Sequence, residues 1–292
     1  MTFVVYLING ISLGGIYALI ALGYTMVYGI AKMLNFAHGD IIMVGGYAAF
    51  FVMSLTSLPP VVAVLAAVIA CTIVGVAVEK VAYKPLRSAS SLTVLITAIG
   101  VSYFLQNLAM ILFKSDARTF KSVITFDGIQ LGDRIRVSGE SLVTIIVSVV
   151  IMIALTLFVN FTKPGHAMLA VSEDRGAAQC MGINVNSTIT MTFAIGSALA
   201  GVAGVLLCST YPQISPYTGA MPGIKAFVAA VLGGVGSIPG AMLGGILLGI
   251  IEVLSKAYIS TQLSDAIVFA VLIVILLVKP TGLLGKKINE KV

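Results

Sequence analysis

The residues able to do chemistry are few and widely spaced. Two histidines, His38 and His166, stand far apart, and no serine, histidine and acid fall at catalytic spacing. Cys71, Cys180 and Cys208 have neither pairing nor metal spacing, and two of them sit in apolar runs as small core residues would. The sequence therefore predicts no catalytic residue and no metal site. More informative are two breaks in otherwise apolar sequence. The first is Asn35-Phe36-Ala37-His38-Gly39-Asp40, with Gly45-Gly46 close behind. Two readings are open for it: a turn in which Asn35 or Asp40 caps the next helix, or a mouth or gate in which His38 and Asp40 face a pathway. The second break is Gly233-Gly234-Val235-Gly236-Ser237-Ile238-Pro239-Gly240. It reads as a helix broken at membrane depth, where irregular backbone is tolerated only inside protein or along a wet cavity. Free N–H and C=O groups at such breaks form substrate sites in many transporters. Glycine runs also cradle phosphates, but no Walker lysine follows this one.

Composition says what must position these breaks. The chain has 292 residues, 59% hydrophobic and only 10% charged, against roughly a quarter charged in a soluble domain. Ile41–Val78, Ser88–Phe113, Ser141–Thr162, Gly176–Ile224 and Ala226–Ile251 contain no Asp, Glu, Lys or Arg. A bilayer-spanning helix needs about 20 mostly apolar residues, so these runs predict an all-α, polytopic transmembrane bundle forming one domain over 1–292. Spans are expected near 3–30, 38–56, 60–80, 91–113, 141–162, 187–209 and 264–279. Residues 222–258 form either two short spans or a re-entrant pair of half-helices. No cleavable signal peptide is expected, because the first apolar run continues to about Ile30 without a basic leader or a small-residue cleavage site. Most of the thirty glycines lie inside apolar runs, where they let helix backbones approach. Gly14-Gly15, Gly45-Gly46, the Gly196, Gly201, Gly204 series and the Gly240, Gly244, Gly245, Gly249 series read as packing seams.

Orientation follows from the basic loops. If the spans alternate, Lys32, Lys80, Lys84, Arg87, Lys163, Arg175, Lys279, Lys286, Lys287 and Lys291 share one side with four acids, Glu79, Glu173, Asp174 and Glu290. The loop 114–140 on the other side carries five basic and four acidic residues. The C-terminus is expected in the cytoplasm and the N-terminus outside. The net charge of +6 thus calls for membrane lipid rather than nucleic acid. In the external loop, Val123–Phe126 and Ile135–Val137, around turn signals at Asp127-Gly128 and Leu131-Gly132-Asp133, predict a small β-hairpin lid. The cytoplasmic segment 163–186 predicts a short amphipathic helix closed by Gly182, docked on the spans or on another protein. Glu252, with Lys256 one turn on, predicts an interfacial pair rather than a buried proton carrier. With almost no other ionisable residue inside the spans, transport would be energised from outside the membrane, through 163–186.

Several stretches, in order along nearly the whole chain, carry a family resemblance. They are Tyr17 to Ile30, Asn35 to Asp40, Tyr83-Lys84-Pro85-Leu86-Arg87, Met181-Gly182-Ile183-Asn184, Lys225 to Gly240, and Pro280-Thr281-Gly282-Leu283-Leu284-Gly285. The sequence resembles the permease subunits of bacterial high-affinity branched-chain amino acid ABC transporters, and the related urea and amide permeases. The resemblance implies a heterodimer of two homologous permeases in the plasma (inner) membrane, two cytoplasmic ATPases and an extracytoplasmic binding protein that delivers leucine, isoleucine or valine. It implies no cofactor in this chain, with ATP and magnesium held by the ATPases. It also implies a cytoplasmic coupling helix with the pattern Glu-Ala-Ala, three residues, Gly. Gly176-Ala177-Ala178 and Gly182 keep that spacing with glycine in place of glutamate, and Glu173 and Asp174, one turn earlier, are candidates for the acidic contact. The pathway is expected along Asn35, Phe36, His38, Asp40, Gly45 and Gly46, and along Gly233, Gly234, Gly236, Ser237 and Pro239. Urea, short amides and other amino acids remain alternative cargoes. A stand-alone channel is the competing class, and an intramembrane enzyme lacks any visible catalytic constellation.

Overall fold

A computed structural model describes residues 2–56, 58–87, 89–131 and 135–285. Hydrocarbon offers no partner to a free N–H or C=O, so apolar runs of this length close their hydrogen bonds as helices. The elements are α1 (Thr2–Ala31), α2 (His38–Leu55), α3 (Pro60–Val78), α4 (Ser91–Phe113), α5 (Gly139–Phe161), α6 (Lys163–Glu173), α7 (Arg175–Cys180), α8 (Val185–Thr210), α9 (Ala220–Gly233), α10 (Ile238–Tyr258) and α11 (Ser264–Val278). A π turn over Glu79–Tyr83 and a 3-10 turn over Lys84–Leu86 continue α3. Among the described residues, seven helices are long and apolar enough to cross a membrane: α1, α2, extended α3, α4, α5, α8 and α10. The chain is an all-α, multi-pass membrane protein. Side chains mark the starts of the helices. Ser90, Ser138, Asn184 and Ser237 accept hydrogen bonds from the N–H groups of Thr93, Ser141, Ser187 and Gly240, filling donors that a helix start leaves open.

Helix α1 is the axis of the bundle, with Ile16 to Leu22 buried all round. It runs antiparallel to α10, Gly10 lying beside Ile250, Gly14 beside Ile246 and Gly29 beside Gly236. A Cβ on Gly249 would lie 2.2 Å from the Gly14 nitrogen, and one on Gly245 2.4 Å from the Ala18 nitrogen. Lipid supplies no hydrophobic drive between helices, so this backbone-to-backbone approach is itself the source of cohesion. The Gly201 and Gly204 seam on α8 is also close, a Cβ there falling 3.0 Å and 2.5 Å from the Ala67 and Ile42 carbonyls.

Residues 222–258 resolve as one half-helix and one full span. Helix α9, with 14 residues, is about 21 Å long at 1.5 Å per residue and falls short of a membrane's hydrocarbon core. The turn joining it to α10 lies level with Gly29, near the last turn of α1, and not at membrane depth as the glycine run suggested. There the chain folds back on itself: Leu283 and Leu284 donate N–H groups to the carbonyls of Leu232 and Gly233, both at 2.9 Å. The second break is therefore a helix end capped by the Pro280–Gly285 segment.

The external loop forms a hairpin with a different first strand from the one expected. Strand β2 (Ile129–Leu131) pairs with β3 (Ile135–Val137), Ile129 opposite Val137 and Leu131 opposite Ile135. Val123–Phe126 is not a strand; these residues line an apolar cavity of about 330 Å³ with Pro60, Val147 and Val205. The turn signal at Gly132-Asp133 lies outside the described residues, as do Lys286, Lys287, Glu290 and Lys291. A second small ladder pairs β1 (Arg118–Thr119) with β4 (Gln213–Ile214), tying the segment before α9 to the hairpin side of the bundle.

Candidate functional site

The first break enters the bundle much further than a surface turn. A Cβ on Gly23 would lie 2.4 Å from the His38 Nε2 and 3.2 Å from the Gly196 carbonyl. Gly196 is the twelfth residue of α8, about 16 Å along that helix at 1.5 Å per residue. The start of α2 is therefore near the middle of the bundle, and residues 32–37 lead down to it from the end of α1. The start of α9 meets it there. A Cβ on Gly39 would fall 2.7 Å from the Gly219 carbonyl, and one on Gly223 2.7 Å from the Gly39 Cα. No residue but glycine allows this approach. Two helices thus begin at mid-depth and run to opposite faces, α2 toward the hairpin side and α9 toward the basic side.

Beside this meeting point is a cavity of about 300 Å³, lined by Tyr24, Phe36, Gly39 and Asp40, by Ile99, Ser102, Tyr103 and Gln106 of α4, and by Ala220, Gly223 and Ile224 of α9. Ile99, Tyr103 and Ile224 are exposed, so the cavity opens sideways between α4 and α9. Asp40 is 2% exposed; its Oδ1 accepts a 2.8 Å hydrogen bond from Gln106 Nε2, and its Oδ2 has no partner among the described residues. Tyr24 stacks edge-on against His38, centroids 4.8 Å apart, and Phe36 packs on Phe227 at 5.4 Å. The cavity therefore combines one carboxylate, the hydroxyl-bearing Tyr24, Ser102 and Tyr103, and one amide with an apolar, aromatic wall.

Other expected pathway residues sit elsewhere. Asn35 accepts a 2.9 Å hydrogen bond from the Tyr83 hydroxyl and caps no helix; Asp40 likewise makes no capping bond, Ala37 being the residue at the cap position. His38 is buried against α1. Gly45 packs on Gly201 and Cys71, and Gly46 on Ile214 and Cys208. Gly233, Gly234, Gly236, Ser237 and Pro239 belong to the turn near the basic face and border no part of this cavity. Sequence reasoning missed Tyr24, Ser102, Gln106 and Gly223. Ser102 and Gln106 were legible as polar residues one helical turn apart inside an uncharged span.

The segment 163–186 is two helices rather than one. Thr162 caps α6, its Oγ1 accepting from the Gly165 N–H at 3.1 Å. The chain then breaks at Asp174, whose Oδ1 accepts from the N–H groups of Gly176 (2.7 Å) and Ala177 (3.0 Å) to start α7. Asp174 thus holds the local backbone while its flank stays exposed. Gly182, at φ +81°, ends the segment, with Ile183 N–H donating to the Ala178 carbonyl. Ala178 is buried; Glu173, Gly176, Ala177 and Met181 face outward. Arg175 donates to the Ala31 carbonyl, joining α7 to the end of α1 where the deep break begins. Nearby, Glu79 is wholly buried in an ion pair with Arg87 and accepts from Thr190 at 2.8 Å.

Glu252 is more deeply buried in protein than a single i,i+4 pair requires. The i,i+4 pair with Lys256 is present at 2.6 Å, but the carboxylate is 1% exposed and also accepts from Lys225 at 2.8 Å and Tyr17 at 2.8 Å. Lys225 bonds Asp265 as well, at 2.7 Å. The cluster joins α1, α9, α10 and α11, which only the tertiary fold could reveal.

The pattern described as branched-chain amino acid transport system, permease component, matches residues 6–276. The chain belongs to this family. It is 44% identical to the high-affinity branched-chain amino acid transport system permease protein LivH of Escherichia coli (strain K12), covering 99% of this chain and 98% of that one. It is 44% identical to the corresponding permease protein BraD of Pseudomonas aeruginosa, over 98% and 97%. A probable branched-chain amino acid transport permease of Methanocaldococcus jannaschii is 30% identical over 91% and 88%. Among solved structures, PsaBC from Streptococcus pneumoniae in complex with Fab superposes with a TM-score of 0.50, covering 94% of this chain and 91% of that one. At 14% identity the likeness is one of fold alone. These relatives are named as transport permeases, in keeping with a multi-pass bundle that holds a cavity between its helices.

Proposed function

We propose that this chain is the permease subunit of an ABC importer that carries branched-chain amino acids across the plasma membrane. The observation that supports this most directly is the mid-depth meeting of the α2 and α9 starts beside a cavity with polar and apolar walls. In hydrocarbon such irregular backbone is tolerated only inside protein or along a wet cavity, and here a cavity lies beside it. The cavity's side opening, past Ile99, Tyr103 and Ile224, faces the surface that a second, homologous permease would cover. An extracytoplasmic binding protein delivers leucine, isoleucine or valine, and the pair of permeases alternates access to it.

The basic face, with the C-terminus, is the cytoplasmic one in this reading. Two ATPases there bind ATP and magnesium, and this chain holds no cofactor of its own. Helices α6 and α7 form the coupling element, with Glu173, Asp174, Gly176, Ala177 and Met181 toward the ATPase and Ala178 toward the bundle. Gly182 closes the element. Movement of α7 reaches α1 through the Arg175–Ala31 bond, and from there the 32–37 segment and the cavity. Reconstitution of the chain with its partner permease, ATPases and binding protein in liposomes tests this. Labelled leucine uptake that needs both ATP and binding protein supports the importer; passage of solute through this chain alone would establish a channel instead.

A further inference from the structure

Three acids are buried within the described residues: Glu79, Asp40 and Glu252. Glu79 is paired with Arg87, and Glu252 with Lys225 and Lys256. Asp40 alone has no cationic partner among the described residues, although it is as deeply buried and sits near the middle of the bundle. A carboxylate in such surroundings is costly unless something neutralises it, and its place in a cavity wall points to a partner that is present only part of the time. The N-terminus of α2 favours a negative charge there, and Gln106 holds one oxygen in place at 2.8 Å. The other oxygen has no hydrogen-bond partner among the described residues by distance and angle, although the Ser102 hydroxyl lies close to the carboxyl, and the residue walls the 300 Å³ cavity.

We propose that Asp40 is the carboxylate that receives the ammonium group of the cargo as it passes the cavity. This rests on the transport reading above and narrows it. A branched-chain amino acid carries one ammonium group and an aliphatic side chain. Its ammonium meets Asp40, while Phe36, Ile99 and Ile224 offer the side chain an apolar wall. Urea, or a short amide with no cationic group, leaves the Asp40 charge uncompensated and is disfavoured. A fixed lysine at this place would neutralise Asp40 permanently and close it to cargo. Among the described residues, the absence of one distinguishes this carboxylate from the two that brace helices.

The test uses the complete complex of both permeases, ATPases and binding protein in proteoliposomes, comparing wild type with Asp40→Asn and Asp40→Glu. Asparagine keeps an acceptor for Gln106 and loses the charge. Leucine taken up per ATP hydrolysed should fall at least about tenfold in Asp40→Asn, the scale of one lost charged contact. Asp40→Glu should recover part of it, and the thermal unfolding midpoint should stay at the wild-type value in both. Wild-type uptake per ATP in Asp40→Asn would overturn the assignment and leave the importer reading intact. Equal losses in both variants with a lowered midpoint would also overturn it, showing Asp40 to be a helix brace. If the wild-type complex imports no leucine while hydrolysing ATP, the transport reading fails and the assignment fails with it.

Discussion

The two breaks in this chain look alike as sequence and do different work. Both interrupt apolar runs with glycines and a polar residue or two. At 233–240 the chain turns near the basic face, its carbonyls met by Leu283 and Leu284 N–H groups and its last residue packed backbone to backbone, Gly233 on Gly240. At 32–40 the chain descends to mid-depth, where Gly39 meets Gly219 and Gly223, and Asp40 keeps an unpartnered oxygen beside a cavity. The turn at 233–240 has its helix-end carbonyls met by its own chain, with Gly236 and Pro239 exposed. The break at 35–40 keeps a carboxylate oxygen without a partner among the described residues. Glycine content does not distinguish them; depth, and what is left unpaired there, does.

The buried carboxylates repeat the contrast, and their removal should give the largest effects. Glu252→Ala leaves Lys225 and Lys256 without their shared anion, so it should lower unfolding stability in detergent by about 3–5 kcal/mol. Asp40→Asn should change the same unfolding measurement by no more than about 1 kcal/mol, although it reaches cargo. Comparable losses in both would erase the distinction between brace and site.

Next in size are the glycine contacts. In Gly39→Val the Cβ alone falls 2.7 Å from the Gly219 carbonyl, forcing α2 and α9 apart at a cost of about 1–3 kcal/mol and reducing leucine uptake. Pro239→Ala, on the exposed side of the other turn, should leave uptake near wild type and cost less than about 0.5 kcal/mol. Smaller again is the coupling element. Asp174→Ala removes the acceptor for two N–H groups and should destabilise α7 by about 1 kcal/mol, seen as faster amide exchange over 175–180. In the assembled complex it should slow uptake and ATP hydrolysis together.

Much of this architecture was legible in the sequence. Uncharged runs announce spans because hydrocarbon excludes charge, and the small residues of α1, α8 and α10 announce seams because lipid leaves packing as the cohesive force. The Asn35–Asp40 break was legible as a candidate site, down to Asp40. Its depth was not, since that is set by where α1 and α8 hold His38, through Gly23 and Gly196, far away in sequence. For the same reason 233–240 looked like the deep break, although the missing depth lies at the other end of α9. The Glu252 cluster was only half visible: Lys256 is one turn away in sequence, but Lys225 and Tyr17 come from other helices. β-Branched residues at Val123–Phe126 suit a strand beside Ile135–Val137, yet Val123–Phe126 covers an apolar cavity and Ile129–Leu131 takes the pairing instead.

The measurement that tests the central claim most directly is thiol blocking at the two breaks in the assembled, reconstituted complex. The exposed Cys180 is first replaced by serine, leaving Cys71 and Cys208 buried. Single cysteines are then introduced as Ser102→Cys, in the cavity wall, and Pro239→Cys, on the exposed side of the turn near the basic face. A small thiol reagent should abolish most leucine uptake through Ser102→Cys, preloaded leucine should slow that reaction, and labelled Pro239→Cys should keep transporting. Uptake that survives modification at 102 but stops on modification at 239 would contradict the account and move the route to the other break.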